Sequence, residues 1–162
     1  MKTLWFIGLL AIVLPTLVFF AGQLGFLSGK PPQDLGVKHG RLKPPSITPN
    51  SVSSQAKLYP DHPQRGYADI APFSYSGDGA VALQKISQIL RSMPKTTVVT
   101  ETGDYLYAQS TTPLLKFTDD VEFWLSPEEH VIHVRSASRL GRKDFAVNRT
   151  RIENIRAQFL QN

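Results

Sequence analysis

Phe117-Thr-Asp-Asp-Val-Glu-Phe-Trp-Leu125 is the stretch that decides the fold. Along it, apolar Val121, Phe123 and Leu125 alternate with Asp120, Glu122 and Trp124. Successive side chains of a strand point to opposite faces of a sheet. The stretch therefore predicts a half-buried strand with its apolar residues on one face.

The segments on both sides of this strand predict more strands. Residues 96–101 are rich in β-branched side chains, and a turn at Thr102-Gly103-Asp104 leads into a second strand over residues 105–110. After a turn at residues 126–129, residues 130–135 read as a further strand with Ile132 and Val134 facing inward. The pattern is that of a meandering antiparallel sheet.

Two amphipathic helices flank these strands. Asp78 is placed to cap the first helix, and Pro94 ends it. Its apolar stripe consists of Ala82, Ile86, Ile89, Leu90 and Met93; a final helix begins near Asn148 with a stripe of Ile152, Ile155, Phe159 and Leu160. We expect an α+β fold: an N-terminal transmembrane helix followed by an antiparallel sheet of about four to five strands with two helices packed on one face.

The chain opens with an apolar segment that is long enough to span a membrane. Residues 3–22 carry no charge, and a bilayer core takes about 20 apolar residues in a helix. A cleaved signal peptide has a shorter apolar region and small residues at its cleavage site, whereas bulky Phe19 and Phe20 precede Ala21 here. We expect residues 1–28 to be a retained, single-pass transmembrane anchor, although cleavage stays an alternative.

The rest of the chain divides into an arm and a domain. Residues 29–66 hold seven prolines and show no helical or strand period. They predict a proline-rich tether, either a spacer or an extended arm that lies along a partner. The α+β domain is expected to occupy residues 67–162.

The side of the membrane stays open. Cytoplasmic flanks are enriched in Lys and Arg. Lys30, Lys38, Arg41 and Lys43 follow the anchor and favour a cytoplasmic domain, whereas a short charged start such as Lys2 more often sends the following domain outward. The expected location is the bacterial inner membrane or an equivalent membrane.

Composition excludes several functional classes. The 162 residues include no cysteine, which rules out disulfides, thiolate catalysis, Cys-ligated zinc and iron–sulfur clusters. Phosphate-binding and dinucleotide-binding Gly-rich loops and a nucleophile elbow are also missing from the sequence. We expect no cofactor. The net charge of +5 suits an anionic partner or lipid.

Three carboxylates, Asp119, Asp120 and Glu122, are candidates for structural ion pairing. Only Asp120 and Glu122 share a sheet face, and no histidine or metal partner accompanies them, so a solvated face neutralised by arginines is favoured over acid–base catalysis. His130 and His133 are three residues apart on a strand and point to opposite faces. No metal site and no catalytic residue is predicted.

The densest signal is a basic loop between Arg135 and Arg151, where six basic residues accompany one acidic residue. Its small residues and the following helix N-terminus can turn backbone N–H groups toward an anion. The loop residues fit internal pairing with the carboxylates, contact with a partner protein, or binding of a small anion or lipid; nucleic acid is not expected. The candidate anion- or partner-binding residues are Arg135, Ser136, Ser138, Arg139, Arg142, Lys143, Asn148 and Arg149.

Four stretches resemble a family known as domain of unknown function 1499. They are residues 49–54 (PNSVSS), 103–106 (GDYL), 117–123 (FTDDVEF) and 135–145 (RSASRLGRKDF), the last followed by Asn148-Arg149. Family members often carry a cysteine where this chain has Ser51, so a redox or disulfide role there is lost. The resemblance implies a fold and no mechanism. Relatives occur as accessory subunits of respiratory complex I, which suggests the same role by analogy.

These observations lead to three functional hypotheses. The first is a membrane-anchored, non-catalytic accessory subunit of a larger membrane protein complex, with complex I (NADH:quinone oxidoreductase) as the candidate and other membrane subunits as partners. The second is a lone tethered domain that binds an anionic lipid or metabolite through Arg139, Arg142, Lys143 and Arg149. The third is an uncharacterised enzyme that uses the Asp119, Asp120 and Glu122 carboxylates.

Overall fold

The helices and strands follow the order expected from the sequence. The computed structural model describes residues 2–161, with side chains from residue 6. Its helices are α1 (Lys2–Gln23), α2 (Arg65–Ala68), α3 (Gly79–Ser92) and α4 (Val147–Gln161), and its strands are β1 (Ser51–Ser53), β2 (Phe73–Ser74), β3 (Thr96–Glu101), β4 (Tyr105–Thr111), β5 (Thr118–Ser126) and β6 (Val131–Ser138). The α+β prediction, with an N-terminal apolar helix, is confirmed.

All strands belong to one antiparallel sheet. The strand order is β1-β6-β5-β4-β3, and β2 also pairs with β6. The β3–β4–β5–β6 meander was predicted. The two extra strands, β1 and β2, are three and two residues long and too short to show an alternating pattern.

The hydrophobic core lies between the sheet and helices α3 and α4. The register of the sheet places the apolar residues of β4, β5 and β6 on one face, among them Leu106, Phe123 and Val134. Phe73 meets Phe123 and Phe159 edge to face, with ring centroids 5.5 and 5.6 Å apart. Such aromatic pairs add to the free energy gained from area burial.

The helix ends agree with the local sequence signals, with one correction. The Asp78 carboxylate accepts a hydrogen bond from Ala80 N at 2.7 Å and caps α3, as predicted. The expectation that Leu160 belongs to the buried stripe of α4 is wrong, because Leu160 is 73% exposed. Ile152, Ile155 and Phe159 already occupy the buried side, and Leu160 is turned about 100° away from Phe159 around the helix.

The proline-rich arm, residues 29–66, packs against the sheet of the same chain. Leu42 and Ala56 are buried, and β1 forms the edge strand beside β6. The backbone of this segment also forms hydrogen bonds with side chains of the sheet. Gly36 N donates to Glu122, and Pro44 O accepts from Arg135. The boundary predicted at residue 67 therefore comes after the first strand of the sheet.

Helix α1 presents an apolar surface that the rest of the chain leaves uncovered. Residues Phe6–Gln23 have a mean hydropathy of 2.1, and only 6% of this window is buried. The helix continues through Pro15. By length and composition it can be a membrane span or a signal sequence. Its end contacts the domain, because Gln23 Nε2 donates a hydrogen bond to Leu114 O at 2.8 Å.

We predict that Phe123→Ala lowers the free energy of unfolding of the domain by about 3–5 kcal/mol, because it opens a cavity in the core. Phe123 is fully buried, whereas Phe145 is 88% exposed. Phe145→Ala is the matched control and should change the free energy by less than about 0.5 kcal/mol. Denaturant unfolding measures both, and equal effects would contradict the assignment of the core face.

Candidate functional site

A buried layer of polar side chains covers the sheet face opposite the helices. The register brings Tyr107 opposite Glu122 and Glu122 opposite Arg135. Asp120, Glu122 and Arg135 are at most 4% exposed. This corrects the expectation of a solvated acidic face. We call the group the polar layer; it consists of Tyr105, Tyr107, Gln109, Asp120, Glu122, Arg135 and Arg139.

Asp120 is held by a two-pronged contact with Arg139. Arg139 Nη2 lies 2.7 Å from Asp120 Oδ1, and Arg139 Nε lies 2.9 Å from Oδ2. The Tyr107 hydroxyl donates to Oδ1 at 2.6 Å. The hydrogen bond with Asp120 raises the pKa of Arg139, and burial followed by the bond to Asp120 raises the pKa of Tyr107. Arg139 is therefore committed to an internal partner.

Glu122 joins the sheet to the arm. Its Oε1 atom accepts hydrogen bonds from Gly36 N at 2.8 Å and the Tyr105 hydroxyl at 2.9 Å, and its Oε2 atom lies 3.4 Å from Arg135 Nη1. Arg135 Nε also donates to Pro44 O at 3.3 Å. Burial lowers the pKa of Arg135 although Glu122 opposes this shift, and burial next to Glu122 raises the pKa of Tyr105. Backbone groups of the arm thus satisfy buried side chains of the polar layer, and the layer satisfies backbone groups of the arm.

Asp119 lies on the helix side of the sheet and pairs with Arg151 of α4. Arg151 Nη1 also donates to Ser136 Oγ at 3.0 Å and to Asn148 Oδ1 at 2.8 Å. The Asn148 amide donates in turn to Ser138 Oγ at 3.0 Å. Three of the predicted binding residues, Ser136, Ser138 and Asn148, are therefore occupied in fastening β6 to α4.

The remaining predicted binding residues do not converge on one site. Arg149 Nη2 donates to Tyr67 O at 2.6 Å and Asp69 O at 2.9 Å. Arg142 and Lys143 are exposed, and no side chain or backbone group of residues 6–161 forms a hydrogen bond or ion pair with their side chains. Arg139, Arg142, Lys143 and Arg149 therefore form no common anion pocket in this structure.

Asp144 fixes the start of α4. Its carboxylate accepts hydrogen bonds from Ala146 N at 3.2 Å and Asn148 N at 3.1 Å, and the Tyr67 hydroxyl donates to it as well. Burial acts to raise the pKa of Asp144, but these hydrogen bonds outweigh it and lower the pKa overall. Burial, and to a smaller extent the hydrogen bond to the Asp144 carboxylate, raises the pKa of Tyr67. The carboxylate therefore stabilises a loop in which Phe145 and Ala146 both have positive φ, 51° and 65°.

A cleft of about 320 Å³ separates the arm from the polar layer. Its charged lining comprises four basic and two acidic side chains, a net of +2: Lys30, Lys43, Arg135, Arg139, Asp34 and Asp120. Asp34 pairs with Lys43 at 2.7 Å. Of the basic residues, Lys30 alone has no ion pair within the described part of the chain, so the cleft offers a small anion one free cation at its edge.

Sequence reasoning missed several members of these networks. Tyr105 and Tyr107 recur two residues apart on β4, a spacing that places both hydroxyls on one face and could have predicted a polar layer. Arg151 and Asp144 lie in the basic stretch, but the sequence alone assigns them no role. His133 stacks on Trp124 with ring centroids 5.4 Å apart. Among residues 6–161, whose side chains the structure describes, no cluster of three or more His, Asp or Glu side chains could hold a metal ion.

We predict that Glu122→Gln lowers the free energy of unfolding by about 3–5 kcal/mol, because it leaves the Arg135 charge buried without its counter-ion. Glu101→Gln is the matched control. Glu101 pairs with Arg91 at 2.7 Å, but the two side chains are 37% and 58% exposed, so its loss should cost at most about 1 kcal/mol. Urea unfolding of both variants measures the difference, and equal costs would contradict the burial of the layer.

We predict a pH-dependent contribution from Asp144. Its pKa is lower in the folded chain than in the unfolded chain, so its stabilisation is present above about pH 4 and is lost as the pH falls through the folded value. Asp144→Asn should cost about 2 kcal/mol at pH 7, and this gap should shrink as the pH falls below about 4. Urea unfolding across pH measures the gap. Exposed Asp61→Asn should track the wild type, and a pH-independent gap for Asp144→Asn would contradict the prediction.

Comparisons with known proteins agree with the resemblance noted in the sequence. The sequence model of the family described as a protein of unknown function (DUF1499) matches residues 41–159. No curated protein matches the chain. No solved structure matches it either. The match covers β1 to β6 and most of α4, including the polar layer and the basic loop, and the chain belongs to the DUF1499 family.

Proposed function

We propose that the protein is a single-pass, membrane-anchored binding domain that serves as a non-catalytic accessory subunit of a larger membrane protein assembly. The observation that carries the proposal is the surface of α1. Eighteen consecutive residues, Phe6–Gln23, form an apolar helix that the domain leaves exposed. A helix that is apolar all round needs an apolar environment, and a bilayer or neighbouring membrane helices supply one.

The three candidate carboxylates of the domain support a non-catalytic role. Each of the three candidate carboxylates is paired with an arginine: Asp119 with Arg151, Asp120 with Arg139 and Glu122 with Arg135. A general acid or base must reach the proton that it transfers. These carboxylates are at most 2% exposed and their oxygens already accept hydrogen bonds, so their geometry favours a structural role.

The position of α1 supports an accessory role next to other subunits. The helix end is packed on the domain, because a Cβ added at Gly22 would lie 2.6 Å from Leu115 O. A domain fixed in this way presents the same side to neighbours in the membrane plane. Complex I is the first assembly to examine, on the analogy with relatives described above.

We predict that the full chain, extracted in mild detergent, co-purifies with one or more membrane proteins at a fixed stoichiometry. Mass spectrometry of the purified fraction identifies them, and the intact mass of the chain shows whether the N-terminal segment is retained. A chain that retains its anchor and always migrates alone would contradict the accessory role. A mature chain that begins after residue 21 would contradict the anchor.

A pair of leucine variants separates anchoring from folding. Leu14 of α1 and Leu160 of α4 are both exposed, by 56% and 73%. An arginine at the centre of a span opposes insertion by about 2.5–3.5 kcal/mol. Leu14→Arg should therefore reduce both membrane retention and co-purification, whereas Leu160→Arg should leave both unchanged.

A further inference from the structure

Two loops lie where α1 meets the domain. Residues 112–117 connect β4 to β5, and residues 139–146 connect β6 to α4. Gln23 of α1 donates to Leu114 O in the first loop. Gly29 contacts the second loop so closely that an added Cβ would lie 2.7 Å from Arg139 Cβ. If α1 spans a bilayer, both loops lie at the surface of that bilayer.

The tips of these loops expose large apolar side chains. Leu114 is 63% exposed, Leu140 is 41% exposed and Phe145 is 88% exposed. A mostly apolar cavity of about 330 Å³ lies between the loops and is lined by Phe117, Leu140 and Phe145, among others. One Phe and two Leu side chains are exposed next to the C-terminal end of the apolar helix α1. Such an exposed apolar group indicates contact with an apolar surface outside the domain.

Basic residues lie in the same two loops as these apolar tips. Lys116 lies in the first loop, and Arg142 and Lys143 lie in the second. The one acidic residue of the two loops, Asp144, is buried and hydrogen-bonded to Tyr67. Apolar side chains flanked by uncompensated Lys and Arg match the chemistry of a bilayer interface that contains anionic lipids.

Interior contacts hold the second loop in place. Asn50 Nδ2 donates to Gly141 O at 2.7 Å, and Asp144 N donates to Pro49 O at 3.2 Å. Asp144 and Asn148 fix the other end of the second loop. The exposed tips of the second loop, Leu140 and Phe145, are therefore displayed by a fixed backbone.

We infer that this surface, the loop face (Leu114, Lys116, Leu140, Arg142, Lys143 and Phe145), docks on the membrane that holds α1. Its apolar tips enter the interface between headgroups and acyl chains, and its basic residues bind anionic phospholipid headgroups. The inference rests on the proposed anchoring by α1 and adds a second, lipid-selective contact that orients the domain on the membrane.

Single cysteines test the insertion, because the sequence contains none. Phe145→Cys carries an environment-sensitive fluorophore on the loop face, and Gly103→Cys carries it in the exposed β3–β4 turn at the other end of β4. The full chain is reconstituted in phosphatidylcholine vesicles with phosphatidylglycerol and brominated lipid. We expect quenching at residue 145 and none at residue 103. Leu140→Cys is a second insertion site should labelling at residue 145 disturb folding, and it should also be quenched.

Neutralising variants test the lipid selectivity. Each basic residue near an anionic surface changes the docking equilibrium about fivefold, so Arg142→Gln with Lys143→Gln should lower the ratio of docked to undocked domain about 25-fold. Lys38→Gln with Arg41→Gln is the control pair. These residues flank a turn whose Gly40 lies by Trp124, toward the other end of β5, and their loss should change nothing. Omission of phosphatidylglycerol should act like the first pair.

The outcomes separate docking from anchoring. Lack of quenching at residues 140 and 145, in chains that resist alkaline carbonate extraction, overturns the docking and leaves the anchor intact. Quenching that appears only when a co-purified protein is added, or that falls equally in both double variants, also overturns it. Release of the whole chain by carbonate overturns the anchor and the docking together.

Discussion

The burial of Asp120 and Glu122 on one face of β5 is the constraint on which the rest of the structure depends. An unpaired carboxylate is costly to remove from water, so each one needs a cation and further hydrogen-bond donors. Arg139 and Arg135 supply the charge, and Tyr107, Tyr105 and Gly36 supply donors. Replacing a buried ion pair by apolar residues is often neutral or stabilising, so we assign this layer a role in specificity: it fixes the path of the arm.

The same constraint divides the basic loop into two parts with different roles. Arg135 and Arg139 are drawn into the polar layer, and Arg149 and Arg151 bind backbone carbonyls and Asp119. Arg142 and Lys143 have no such partner in the described chain and stay exposed on a backbone that Asp144 and Asn50 hold. The high charge density of the sequence here therefore reflects internal ion pairing first, and only two of its cations contribute to an external surface.

The sequence predicts the helices and strands whose buried residues recur at a regular spacing, and it does not predict segments that lack such a spacing. Strand β5 and helix α3 were predictable because their apolar residues recur every second residue or every third to fourth residue. The arm and β1 were not, because seven prolines between residues 29 and 66 carry no period and three residues show no alternation. The alternating pattern of β5 predicts that its polar face is exposed to solvent, because hydrophobic patterning treats polar residues as exposed. Glu122 on that face is instead 0% exposed, because the arm covers it.

The arm links α1 to the polar layer. The DUF1499 match begins at residue 41, so α1 and Gly36 lie outside the matched region while Glu122, which accepts the Gly36 hydrogen bond, lies inside it. From Gln23 the chain contacts the loops through Gly29 and then reaches Glu122 through Gly36. These contacts follow one another along 14 residues that contain Pro31 and Pro32, which restrict the backbone. A displacement of α1 relative to the domain must therefore strain either the packing at Gly29 or a buried charge-assisted hydrogen bond at Glu122. The segment that follows α1 thus restrains the orientation of the domain relative to α1.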